Sequence, residues 1–301
     1  MEQRRRNKRQ AGTLGTYFYL FIFPALAVYL LFSIVPFLYT FYYSFTNYTD
    51  MNPVNLDFVG LKNYVKVFHT PLMLVAIRNS VTYAIVLTSL QTLLALPLAV
   101  LLNQKLKTKN LLRAAFFFPA VFSSLIIGYL WNFIMSSSDY GLINNLLHQL
   151  GFGTYNFFTA NRALFSVILT QVWQWTGWAM VIYLANLQSI SPDLYEAADI
   201  DGAGGLKKFF YVTLPLMCPS VKIVIVTGLI GGMKVFDIIY SMTSGGPGNA
   251  TETVMTVMMK KGISDGFYST GSAFGVCFFV IVLLISTVVT KLMGKWSDAI
   301  Q

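Results

Sequence analysis

Six apolar stretches, separated by short polar segments, fill the chain between Tyr17 and Met293, and each is long enough to cross a bilayer. They lie at about 17–45, 75–102, 112–135, 163–187, 220–240 and 270–293. Such a pattern leaves few folds open, and the expectation is an all-α, polytopic membrane protein with six transmembrane helices. Composition agrees: 55% of the 301 residues are hydrophobic and 11% charged, against about 25% charged in a soluble chain. The first stretch exceeds what a bilayer needs and ends without a small-residue cleavage site, so no cleavable signal peptide is expected. Pro24 and Pro36 are candidates for kinks within it. Cys218 and Cys277 fall at the edge of and inside spans, so no disulfide is expected.

Six crossings put both termini on one side, and charge decides which. With the tail inside, fourteen of the 21 Lys and Arg residues fall in inner segments and six in outer ones, while Lys234 lies within span five. This bias places both termini in the cytoplasm. Residues 1–13, with Arg4, Arg5, Arg6, Lys8 and Arg9, read as a basic cytoplasmic tail. Residues 14–295 then form one membrane domain, and 296–301 a second cytoplasmic tail. The net charge of +9 is dispersed and gives no reason to expect nucleic acid as a partner. In the outer loops, Phe58 to Phe68 has the look of a short amphipathic helix at the membrane surface, and Leu142 to Leu150 of another short helix.

One polar island interrupts the apolar chain, from Ser191 to Pro219. Ser191 suits an N-cap and Pro192 the first helical position. Asp193 and Glu196 add negative charge in the first turn, where the helix dipole favours it. Asp201-Gly202-Ala203-Gly204-Gly205 reads as a turn. A second short helix, roughly Leu206 to Thr213, is expected to end before Pro215. The island is thus a helix, a glycine turn and a helix, on the cytoplasmic side.

Glu196-Ala197-Ala198, then three residues, Gly202, nine residues and Val212-x-Leu214-Pro215, resembles the EAA loop of membrane subunits in ABC importers. Val212 stands where that pattern has Ile. The resemblance implies a type I importer permease fold and a first helix that docks into a cleft of a separate ATPase subunit. It places Glu196, Ala197, Ala198, Asp199, Gly202, Leu214 and Pro215 in the coupling region, with Glu196 and Gly202 at the contact. Phe58-Val59-Gly60-Leu61-x-Asn63-Tyr64, Leu187-Gln188-Ser189-Ile190, Lys234-Val235-Phe236-Asp237 and Gly245-Gly246-Pro247-Gly248 are similar to maltose-type carbohydrate permeases. That family implies a heterodimer with a second permease, two ATPase subunits and an extracellular solute-binding protein. It also implies uptake of a di- or oligosaccharide. ATP and Mg would sit on the ATPase subunits and no cofactor on this chain. The extra N-terminal spans and outer domain of the enterobacterial maltose subunit are lacking.

Residue chemistry fits transport better than catalysis. No Gly-x-x-x-x-Gly-Lys-Ser/Thr loop occurs, so ATP binding by this chain is not expected. No HExxH or Gly-x-Ser-x-Gly is present, and His69 and His148 read as solvated loop residues, so neither catalytic nor metal-ligating residues are expected. Of the twelve acids only Asp237 falls within a span. An ion-coupled secondary carrier for a polar solute is the alternative; such carriers usually need buried carboxylates or broken helices at the midplane, and the position of Asp237 near the outer end of its span weighs against it. An exporter subunit or a scaffold is disfavoured by the full EAA pattern.

The resemblance to the maltose subunit places Ser124, Gln171, Gln174, Trp175, Gly228 and Gly231 along the substrate pathway. Amides hydrogen-bond sugar hydroxyls and an indole face packs on the ring; the same residues could instead glue helices together. Gly228 and Gly232 form a GxxxG pattern, which suits close helix packing or a hollow in the pathway wall. Lys234 and Asp237, three apart, read first as a local ion pair and second as a substrate or gate contact.

Overall fold

A computed structural model describes residues 21–51, 54, 56–138 and 140–300, with side chains through Lys295. The basic tail at 1–13 and the start of the first apolar stretch lie outside the described residues. The described residues are helical apart from loops and one isolated antiparallel bridge, Thr46 with Phe58. The chain divides into two compact units, residues 1–67 with 261–276 and residues 68–260 with 277–301.

In the first unit, helix α1 (Phe21–Tyr43) is strongly apolar and none of the residues in its membrane-length window is buried. Pro36 is absorbed without a break, because a wide π turn at Leu30–Ile34 precedes it and Pro36 then opens a fresh helical turn. The loop after α1 is folded by Asn63, whose amide donates to the carbonyls of Ser44 at 2.9 Å and Thr46 at 2.7 Å. Helix α2 spans Lys62–His69 and starts later than the amphipathic pattern suggests. Gly60, at φ 61°, turns the chain first.

The second unit is built on α3 (Pro71–Leu102), which runs unbroken through Pro97. Helix α7 (Ala163–Leu187) lies along it, with the bounds expected from sequence. Helix α10 (Cys218–Met233) packs on the same helix. One apolar cluster joins Tyr83 and Leu87 to Val167, Ile168, Val172, Ile238 and Ile239. Another joins Ala95 and Ala99 to Ala179, Met180, Tyr183, Met217 and Val224. Helix α13 (Tyr268–Ile300), which begins in the first unit and continues in the second, extends beyond the expected sixth span at both ends.

Two expected spans are broken. Span three consists of α4 (Lys109–Val121) and α5 (Ser124–Ile134), bent by 97°. Span five ends as α10 at Met233 and restarts as α11 (Asp237–Thr243). Among the described residues three helices, α1, α3 and α13, are long and apolar enough to cross a membrane. The number rises to five if α4 with α5, and α10 with the helix before it, each count as one span. Helix α7 contributes no span by this criterion; its middle carries Gln171 and Gln174, both buried. Between α5 and α7 lies the short α6 (Leu142–Gln149), where sequence expects it.

Candidate functional site

Two regions gather the residues singled out from sequence. The first follows α7. Ser191 caps α8 (Pro192–Ile200), accepting from the Asp193 N–H at 3.4 Å, and Pro192 occupies the first turn. The glycine turn follows, and Gly202 takes a left-handed φ of 71° that an L side chain resists. Helix α9 (Gly205–Leu216) returns the chain to α10 at a 67° bend. It does not stop before Pro215, contrary to expectation. A π turn over Phe209–Thr213 widens the helix there, so Pro215 begins a new short segment, where its missing N–H costs little.

This helix–turn–helix is tied within itself. Asp199 pairs with Lys208 at 2.6 Å, and the Tyr195 hydroxyl meets Thr213 Oγ1 at 3.2 Å. Ala198 is buried, whereas Glu196, Ala197, Asp199 and Gly202 are exposed; Leu214 and Pro215 are half-buried. Apolar side chains are exposed beside them: Ile200 is 87% exposed and Leu206 77%. Exposed apolar groups of this kind are found where a surface meets a protein or a membrane.

The second region is a cavity of about 350 Å³ bounded by α3, α5, α7, α10 and α11. Ser124, Gln171, Trp175, Gly228 and Gly231 border it. Gln174 does not. It is fully buried behind the wall, where its amide donates to the Phe122 carbonyl at 2.9 Å, and its Oε1 accepts from Gln171 and from Ser124. Phe122 lies in the break between α4 and α5, whose freed carbonyl is thereby satisfied. Gln174 is thus placed as an anchor of the broken helix rather than a lining residue.

The glycines of α10 divide between the two roles. A Cβ on Gly232 would sit 2.7 Å from the Ala84 Cα, and one on Gly228 2.9 Å from Thr88 Oγ1, so both serve close packing on α3. A Cβ on Gly231 would meet nothing within 4 Å; that face is the hollow. Sequence reasoning missed Gln91, Trp178 and Tyr83. Gln91 borders the cavity and donates to the Trp175 carbonyl at 2.9 Å. Trp178 packs edge-on against Trp175, with centroids 6.3 Å apart. Tyr83 also borders the cavity, and its buried hydroxyl has no hydrogen-bond partner among the described residues.

Lys234 and Asp237 do not form the expected ion pair. Among the described residues the ion pairs are Lys208–Asp199, Lys260–Glu252 and Lys261–Asp265. Lys234 caps the C-terminus of α10, Asp237 opens α11, and both border the cavity. Asp237 is exposed, whereas another acid is folded into the protein. Glu252, outside the expected spans, is 2% exposed; it accepts from Thr256 and pairs with Lys260 at 3.3 Å. Broken helices and a buried carboxylate are therefore present among the described residues.

Comparison with known proteins bears on the class. The profile of the family described as binding-protein-dependent transport system inner membrane component matches residues 73–299. The chain is 37% identical over 274 residues to the trehalose/maltose transport system permease protein MalF of Thermococcus litoralis, covering 91% of this chain and 92% of that protein. It is 32% identical over 283 residues to the arabinooligosaccharides transport system permease protein AraP of Bacillus subtilis, covering 92% and 88%. In fold it is similar to a chain of a bacterial ABC transporter involved in the import of the acidic polysaccharide alginate, with a TM-score of 0.84 at 21% identity over 95% of this chain and 98% of that one.

Proposed function

The chain belongs to the inner-membrane components of binding-protein-dependent transport systems, and from that premise we propose that it is a permease subunit of an ATP-driven importer of a di- or oligosaccharide. The observation that carries the substrate class is relationship: proteins similar over nine-tenths of the chain are named for trehalose, maltose and arabinooligosaccharide transport. The cavity suits that class, with amides from Gln171 and Gln91, the Ser124 hydroxyl, and the indoles of Trp175 and Trp178 along its wall. Its volume lies within the range of about 300–1,000 Å³ typical of small-molecule sites.

In this reading the chain spans the membrane six times. Helix α7 is the span that hydropathy undercounts, because so much of it is buried against other helices that it meets little lipid. Both termini and the α8–α9 turn face the cytoplasm, as the distribution of Lys and Arg supports. The exposed face at Glu196, Ile200 and Gly202 docks on an ATPase subunit, and a second permease completes a heterodimer with two such ATPases. ATP closes the ATPase pair, the coupling helices approach, and the permeases rock to open the pathway toward a docked binding protein; hydrolysis resets them. This chain contributes the force-receiving elbow and half of the pathway, and the nucleotide and its Mg stay on the ATPases.

Reconstitution tests the reading. Proteoliposomes with both permeases, the ATPases and the binding protein are expected to take up maltose, trehalose or arabinotriose only with ATP inside the compartment holding the ATPases, and to keep doing so when ion gradients are collapsed. Uptake without ATP that disappears with the gradient would establish the carrier instead.

A further inference from the structure

The charges at the break in span five are unexplained by packing. We propose that Lys234 and Asp237 form a hydroxyl-binding subsite at the cavity wall that selects uncharged glycans; the assignment rests on the carbohydrate reading above and sharpens it.

Four observations carry it. Both residues border the cavity that Ser124, Gln171 and Trp175 also border, and both side chains are exposed rather than folded into the protein. They lie three residues apart, yet no ion pair joins them within 4.0 Å. Each is held where a helix end favours its sign: the ammonium at the C-cap of α10 and the carboxylate in the first turn of α11. The helix ends thus offset part of the cost of charge, and the side chains need not neutralise each other to be tolerated. Finally, the backbone between them is fixed from behind. The buried Thr253 hydroxyl donates to the Val235 carbonyl at 3.1 Å, and Thr253 is itself locked in a reciprocal cap with Thr256, which donates to Glu252.

The chemistry follows from the pair. A carboxylate accepts from two neighbouring hydroxyls, and an ammonium donates to a hydroxyl or ring oxygen. Together they bind a diol strongly through charge-assisted hydrogen bonds while presenting no net charge. An acidic sugar gains at Lys234 what it loses at Asp237, so the pair rewards hydroxyls and not carboxylates. Selection of this kind works by building in the repulsive element as well as the attractive one.

The test uses the assembled complex of both permeases and the ATPases, without binding protein, so that this chain's own preference is read. Equilibrium binding is measured for radiolabelled maltose, trehalose, arabinotriose and maltobionate, which is maltose oxidised to carry one carboxylate. The parent is expected to bind a neutral sugar better than maltobionate. Asp237→Asn is expected to weaken the neutral sugar by about ten-fold, the factor for one charge-assisted hydrogen bond, and to strengthen maltobionate because Lys234 is left uncompensated. Lys234→Gln is expected to weaken both. The double variant, with no net change of charge, is expected to weaken the neutral sugar without gaining the acid. Neutral-sugar binding unchanged in all three variants overturns the subsite, as does an equal response of both single variants toward maltobionate. Loss of the second permease on purification of the single variants also overturns it, and assigns the charges to the subunit interface. A parent complex that binds none of the sugars, and with binding protein takes none up, overturns the carbohydrate reading itself and the subsite with it.

Discussion

Gln174 donates its side-chain amide to the backbone carbonyl of Phe122 at 2.9 Å, joining the middle of α7 to the break in span three. The bond makes Gln174 part of the frame of the cavity, and Gln171, three residues earlier, part of its wall.

Separation of those roles is measurable. Gln174→Leu leaves a buried carbonyl without its donor and is expected to cost about 1–3 kcal/mol of stability, seen as a lower unfolding temperature of the purified complex. The Gln171→Ala, Trp175→Ala double variant is expected to raise the sugar concentration for half-maximal uptake with a smaller loss of stability. Uptake that continues unchanged in the double variant removes these residues from the pathway.

The adjacent glycines Gly231 and Gly232 of α10 give opposite expectations. Gly232→Val drives a side chain into the Ala84 backbone and is expected to destabilise by about 1–3 kcal/mol, the usual cost of overpacking. Gly231→Val points into open space and is expected to leave the unfolding temperature nearly unchanged while slowing uptake by narrowing the cavity. Melting curves and initial uptake rates of the two variants, side by side, decide the matter.

Glu252 is expected to matter more to stability than its partner. The carboxylate is 2% exposed and the Lys260 ammonium 54%. Glu252→Ala removes a buried charged acceptor, leaving the Thr256 hydroxyl only the Thr253 carbonyl at 2.9 Å, and is expected to cost about 1.5–3 kcal/mol, the worth of a hydrogen bond to a charged group, whereas Lys260→Gln leaves the Glu252–Thr256 bond in place and is expected to cost less. Thermal unfolding of both variants at one ionic strength checks the order.

The Asp199–Lys208 bridge is short but open to solvent on the Asp199 side, where 60% of the side chain is exposed. Lys208→Gln is therefore expected to change stability by no more than about 1 kcal/mol. A larger loss on calorimetry would show that the bridge, rather than the turn chemistry, sets the elbow's shape.

The helices themselves were legible where side-chain pattern and backbone agree. Helix α7 ends where polarity returns at Gln188, and α8 begins where Ser191 and Pro192 say it should. The breaks were not legible. Hydropathy continues through Phe118–Val121 and through Val235–Phe236, and it reports what a side chain tolerates, not where a backbone hydrogen bond stops. What closes those breaks is distant in sequence: Gln174 for one, Thr253 for the other. Polar residues on α7 carry the pathway candidates, and the same residues lower its hydropathy. Glu252 is buried although it lies outside the expected spans, and the four-residue steps from Glu252 to Thr256 and from Thr256 to Lys260 were the available signal.

The central claim is that the α8–α9 elbow receives force from an ATPase, and Ile200, 87% exposed at its tip, offers the most direct measurement. A photo-reactive amino acid placed at Ile200 in the assembled transporter is expected to cross-link to the ATPase subunit on illumination, with a yield that changes when ATP closes the pair. Cross-links only to lipid or to the extracellular binding protein, and none to the ATPase in any nucleotide state, would contradict the account.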